Sequence, residues 1–174
     1  MEKLPNTLQE ILQKSIKLEQ DGVKYYTESA AKIKNSVGKR MLERLANDEK
    51  NHIVRFKEIY DAVTNKTLGS VTVKKIEPTT FDEIFNRLKD QLDGAIEELG
   101  EIGVDDAEII EMALDLENTT RFFYQQAAEK AEDSKIAEFY TLLAKEEKAH
   151  YDVLNKALEF LDDPSLFFAM GGRR

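Results

Sequence analysis

Shifted by 98 positions, the sequence falls on itself without a gap: between residues 11–60 and 109–158, twelve of fifty positions are identical, where average amino-acid usage gives roughly three. The coincidences include Glu19 with Glu117, Tyr26 with Tyr124, Ser36 with Ser134, Ala46 with Ala144, Glu49 with Glu147 and His52 with His150. Each half carries two stretches with apolar residues at helical spacing. In the first half these run through Leu8, Ile11, Leu12, Ile16, Val23 and Tyr26, then through Val37, Met41, Leu42, Leu45, Phe56 and Tyr60, with Lys34-Asn35-Ser36 between them. The chain therefore reads as a duplicated helical hairpin. With only eight glycines and three prolines in 174 residues, it lacks the punctuation that a sandwich or barrel of short strands needs. The expected fold is an all-α four-helix bundle.

Helix boundaries follow from capping residues. Asn6 or Thr7 caps the first helix, Asp105 and Asp106 look like the cap of a third that reaches about residue 131, and Ser134 starts the fourth. Asp162-Asp163-Pro164 ends that helix, so the bundle is expected over 1–163, with a tail at 164–174. In that tail Phe167-Phe168-Ala169-Met170 is apolar and suited to packing on the bundle or on a partner subunit. Between the hairpins, a crossover over about 64–104 contains Gly69, a β-prone run Val71-Thr72-Val73, Pro78 and a short helix from Phe81 to about Leu99.

The repeat also locates a site. Glu49-Lys50-Asn51-His52 and Glu147-Lys148-Ala149-His150 use both histidines of the chain, each three residues after a glutamate. On a helix such a pair lies about 60° apart and roughly one turn up, so both side chains reach the same space. Glu19 and Glu49 are equidistant from position 34, and Glu117 and Glu147 from 132, the two hairpin loops. Each hairpin thus puts one Glu level with one Glu-x-x-His. A connection of about 40 residues is far longer than the usual 2–8 between antiparallel neighbours. It can carry the chain back along the bundle, which makes helices two and three parallel and relates the hairpins by a two-fold axis. All four glutamates and both histidines then share one central level.

The chain has no cysteine, so it can form no disulfide, thiolate zinc site or iron–sulfur cluster. Any metal must be held by carboxylate and imidazole. One Glu among 34 acidic residues says little, but four that converge inside a bundle would repel one another unless cations joined them. Two divalent metals bring +4 against −4. Iron, manganese and zinc all suit such a donor set. A net charge of −9 argues against a nucleic-acid partner. Short basic clusters such as Lys39-Arg40, Lys74-Lys75 and Arg173-Arg174 read as solvated surface. No apolar run is long enough for a membrane span, and Met-Glu-Lys-Leu-Pro at the start lacks the apolar stretch of a signal peptide. These features point to a cytoplasmic protein with no membrane partner.

A Glu from each of two helices plus Glu-x-x-His from each of the other two is the ligand set of ferritin-like di-metal proteins. Over about residues 5–161 the sequence resembles that superfamily, and within it the rubrerythrin-type domain. The resemblance implies a centre of two metal ions, most simply iron. Glu49 and Glu147 would bridge the metals, Glu19 and Glu117 would be terminal carboxylates, and His52 and His150 would complete one metal each. Tyr26 and Tyr124 match tyrosines near the site in that family and are candidate catalytic residues. Asp48 and Glu146, each preceding a bridging Glu, would accept the free ring N–H of the histidine on the opposite hairpin.

Two positions depart from the family pattern. Typical rubrerythrins carry a rubredoxin module with two cysteine pairs, which this sequence lacks. They also have an extra glutamate three residues after the terminal Glu of the third helix, where this chain has Thr120, with Gly22 as its repeat partner. That substitution puts peroxidase ligand switching in question and leaves room for dioxygen, peroxide or water. The resemblance implies an oxidoreductase that reduces peroxide or dioxygen with electrons from an external donor such as a rubredoxin-like protein, in a homodimer. Ferroxidase or iron storage, and a non-catalytic structural or sensing role for the metal, are the alternatives.

Overall fold

The computed structural model describes residues 4–73 and 104–162, which form four long helices: α1 (Leu8–Ala30), α2 (Ser36–Thr64), α3 (Val104–Lys130) and α4 (Ser134–Asp162). Short polar residues start three of them. Thr7 accepts from the Glu10 backbone N–H while the Glu10 carboxylate accepts from the Thr7 N–H, a reciprocal box that satisfies two otherwise orphaned donors. Asn35 Oδ1 accepts from the Gly38 N–H at 2.9 Å. At α4, Asp133 Oδ1 accepts from Lys135 and Ile136 just ahead of Ser134.

Asp106 does something other than the capping its sequence position suggested. It sits in the first turn of α3, is 1% exposed, and its two oxygens accept from the backbone N–H groups of Lys34 and Asn35 at 3.1 and 3.0 Å. The α1–α2 loop is thus tied to the start of α3. Tyr25 adds a hydrogen bond from its hydroxyl to the Ile109 carbonyl at 2.7 Å.

These links fix the topology. The hairpins α1/α2 and α3/α4 pack along their lengths, with α1 also against α3 and α2 against α4. The start of α3 lies beside the start of α2, so those two helices run parallel, as the long crossover requires. At the other end the Lys135 ammonium, at the start of α4, donates to the carbonyls of Leu68, Gly69 and Val71, just beyond the end of α2. Residues 68–70 form a single 3₁₀ turn. The β-prone run at 71–73 is not a strand: among the described residues no strand lies beside it to form a ladder, and Val71 and Val73 lie half-buried against the core. The expected helix from Phe81 to Leu99, the apolar run 167–170, and the basic clusters at 74–75 and 173–174 lie outside the described residues. Among the described residues no helix is long and apolar enough to cross a membrane.

Two apolar clusters fill the bundle. One, at the α1–α2 loop end, is mostly aliphatic, with Met41, Leu42, Leu45, Ile110 and Leu154. The other is aromatic: Phe56 and Tyr140 each lie within 5.1–5.8 Å, by ring centroids, of each other and of Tyr124 and Phe139. Each such fully buried side chain contributes roughly 1.5–3 kcal/mol. A polar layer lies between the clusters.

The Asp106 tie gives a test of the assembly. Replacing Asp106 with Ala strips the acceptor from two loop N–H groups and should destabilise the chain by about 1–3 kcal/mol in urea unfolding. An unchanged midpoint and slope would show that the tie does not hold the hairpins in register.

Candidate metal centre

The polar layer is made of one Glu from α1 (Glu19), one from α3 (Glu117), and Glu-x-x-His from α2 (Glu49, His52) and α4 (Glu147, His150), all buried. They form two groups. Glu19, Glu49, His52 and Glu147 offer one donor atom each within 4.8 Å of one another, and so do Glu49, Glu117, Glu147 and His150. Glu49 and Glu147 belong to both. The ring atom that faces this layer is Nδ1 in each histidine. His52 Nδ1 lies 2.9, 3.2 and 3.4 Å from oxygens of Glu49, Glu147 and Glu19. His150 Nδ1 lies 3.2, 3.3 and 3.6 Å from oxygens of Glu147, Glu49 and Glu117. The two rings stack at 5.7 Å with their planes 20° apart.

The two tyrosines singled out in sequence cross between hairpins. The Tyr26 hydroxyl donates to Glu117 and the Tyr124 hydroxyl to Glu19, so each phenol holds the carboxylate of the other repeat. Burial, then the charge of the carboxylate each touches, keeps both phenols far above their ordinary pKa and therefore protonated. Gly22 and Thr120, three residues on from Glu19 and Glu117, are both buried. A Cβ at position 22 would make only ordinary contacts, the nearest being Glu49 Cγ at 3.5 Å.

Behind the histidines the two halves differ. His52 Nε2 meets Glu146 Oε2 at 2.9 Å, the cross-hairpin contact expected from its position. His150 Nε2 lies 3.8 Å from Asp48, beyond hydrogen-bond distance. Asp48 is one methylene shorter than its repeat counterpart and is drawn toward Arg44, 3.6 Å away. Arg55, which the sequence reading did not single out, donates from Nη1 to Glu146 at 2.6 Å. Its signal was its placement three residues after His52, on the same helical face.

Packing this many charges into a dry layer forces their protonation. Desolvation, reinforced by Glu49, raises Glu19 well above the usual carboxylate range; desolvation, with Glu147 and Glu49 adding to it, does the same for Glu117. Burial opposes the lowering of Glu49 and Glu147, but hydrogen bonds and the histidine charges prevail and hold both below their ordinary values. Burial would also discharge the imidazoles, yet the surrounding carboxylates keep His52 and His150 well above theirs. Without a cation, protons held more tightly on Glu19, Glu117 and the two imidazoles offset the charge of Glu49 and Glu147. Among the described residues, buried Glu117 Oε2 and Glu147 Oε1 still find no hydrogen-bond donor of good geometry. A layer of oxygen donors with an inward Nδ1 on each side, partly unpartnered, fits divalent cations.

A family model described as Rubrerythrin matches residues 10–104 and 108–166. The chain belongs to the rubrerythrin family. No match is found among curated proteins or among solved structures. The six residues that the bundle gathers into one layer lie within the matched spans and form two groups that could hold metal.

The protonation pattern dictates opposite pH trends with and without metal. Groups whose pKa is raised by folding bind protons more tightly in the native chain, so their stabilisation is lost as pH climbs past the ordinary values, about 4.3 for Glu19 and Glu117 and about 6.5 for the histidines. The depressed Glu49 and Glu147 matter only toward acid, where stability falls as they protonate. Chelator-treated protein should therefore melt lower at pH 8 than at pH 6. Added divalent metal competes with the protons held on the raised carboxyls and imidazoles, so its stabilising effect should grow over the same range. Calorimetry at both pH values checks this, and a metal effect independent of pH would contradict the charge assignment.

Proposed function

We propose that this chain is a di-iron oxidoreductase that reduces peroxide or dioxygen with electrons from a donor outside its 174 residues. The observation that carries the reading is the pair of four-ligand groups sharing Glu49 and Glu147. That arrangement suits two ions held side by side, with Glu49 and Glu147 between them, Glu19 and His52 completing one, and Glu117 and His150 the other. Two Fe(II) ions would together supply the two electrons that take peroxide and two protons to two waters, or dioxygen and two protons to peroxide.

The protein's contribution is position and a dry setting. Tyr26 and Tyr124 orient the carboxylates of the opposite repeat and are the nearest protonated hydroxyls to them. Clusters of apolar side chains above and below exclude water along the bundle axis. Gly22 and Thr120 put a hydrogen and a short side chain where longer ones would narrow the layer, which suits a small oxidant. Iron is favoured over manganese or zinc by family, and a rubredoxin-like protein is the kind of donor whose one-electron chemistry matches. With no cysteine in the sequence, a thiol route is excluded within it.

Stopped-flow mixing of the anaerobic Fe(II)-loaded protein with peroxide and, separately, dioxygen tests the reading. Oxidation of two irons per peroxide, followed by re-reduction with a rubredoxin-like donor, is the expected result. Fe(II) that neither oxidant oxidises would contradict it. Oxidation by dioxygen with release or accumulation of Fe(III) would move the assignment to ferroxidase or storage.

A further inference from the structure

The 98-residue repeat is nearly symmetrical at the metal layer and broken just behind it. Applying the shift, Glu146 corresponds to Asp48 and Arg55 to Val153. One histidine therefore has a full-length carboxylate and a guanidinium behind it, and the other has a shorter carboxylate and an apolar side chain at the matching position.

The geometry follows the substitution. On the His52 side, Nε2 and the Arg55 guanidinium converge on the same Glu146 oxygen at 2.9 and 2.6 Å, with Glu146 8% and His52 3% exposed at the side chain. The Arg55 guanidinium also lies over the Phe139 ring, 5.7 Å from its centroid. Arg55 is thus held on two sides and clamps the carboxylate on the imidazole. On the His150 side, the nearest outer carboxylate stands 3.8 Å away and is 29% exposed, and the histidine side chain is 10% exposed.

We propose that the two metal positions are inequivalent: Glu146 and Arg55 act as positioning residues that make the position beside His52 the one filled first, while the position beside His150, next to partly exposed Asp48, is the exchangeable one. The inference rests on the metal-centre reading but not on the oxidant. Its physical basis is that a carboxylate on the far nitrogen fixes a histidine's tautomer and ring angle and raises its basicity, and losing such a partner typically costs about 10–100-fold in metal affinity. At His52 the hydrogen bond is made and the carboxylate is anchored. Among the described residues it is not made at His150, whose ring is held by hydrogen bonding from the Nδ1 side alone. Aimed Nδ1 atoms on both sides make both positions usable; only one is preorganised.

Anaerobic titration of the metal-free full-length protein with Co(II) against a competing chelator reads both steps. Two ions per chain should bind, with dissociation constants about 10–100-fold apart. His52→Ala should remove the tighter step and His150→Ala the weaker. Arg55→Val and Glu146→Asp, each the residue its repeat counterpart already tolerates, should bring the two constants together, and Arg55→Lys should restore part of the separation. A readout that mere loss of stability would not move is the ring N–H of the Co(II)-bound histidines in proton NMR. The His52 Nε2–H should be visible and slow to exchange in wild type and should exchange faster in Arg55→Val, while the His150 Nε2–H exchanges fast in both. Equal constants in wild type, a tighter step that depends on His150, or tighter binding in Arg55→Val would overturn the inference. Fewer than two ions in wild type would instead overturn the metal-centre reading beneath it.

Discussion

Four carboxylates brought together in a layer that water does not reach must be neutralised, and the rest of the structure is arranged around that requirement. An ionised carboxylate taken out of water costs several kcal/mol unless paired. Here the pairing is divided between groups within the layer and groups behind it. Imidazoles face Glu49 and Glu147 directly, phenols hold Glu19 and Glu117 from the opposite hairpin, and Arg55 with Glu146 sets the angle of one ring. Protons can balance the charge in a metal-free chain, and divalent cations can replace them. A site of this kind couples metal binding to both pH and folding.

The duplicated hairpin is an economical way to build such a layer. Because each helix pair rises and returns over equal lengths, one Glu and one Glu-x-x-His meet at the same height in each half. The parallel arrangement of α2 and α3 then brings the halves face to face. Crossed contacts between Tyr26 and Glu117 and between Tyr124 and Glu19 preserve the two-fold relation down to single hydrogen bonds. Outside the layer the repeats have diverged: one end of the bundle is aromatic and the other aliphatic, Asp106 secures one loop, and Lys135 gathers carbonyls at the opposite end. Symmetry is kept at the six converging side chains and relaxed in the packing around them and in the residues behind the histidines.

Much of this was legible in the sequence because helical period, hairpin length and repeat register are arithmetic. The co-localisation of Glu19, Glu49, His52, Glu117, Glu147 and His150 follows from counting residues, and so does the direction of α3. What counting could not give is what side-chain length and three-dimensional competition decide. Asp106 read as a helix cap, yet its carboxylate reaches the neighbouring loop, where two N–H groups lacked partners. Asp48 and Glu146 looked alike in the repeat, but one methylene and the pull of Arg44 leave Asp48 short of His150. The β-branched run at 71–73 carried a strand-like pattern, but among the described residues no strand lies beside it. Arg55 breaks the repeat, its counterpart being Val153, so the repeat register does not point to it.

The central claim is that the bundle holds two metal ions side by side with Glu49 and Glu147 shared between them. Crystals of the protein loaded anaerobically with Fe(II), measured above and below the iron absorption edge, test it most directly. The account predicts two anomalous peaks per chain within the polar layer, one beside His52 Nδ1 and one beside His150 Nδ1, with both shared carboxylates between them. A single peak, or peaks away from these six residues, would contradict it.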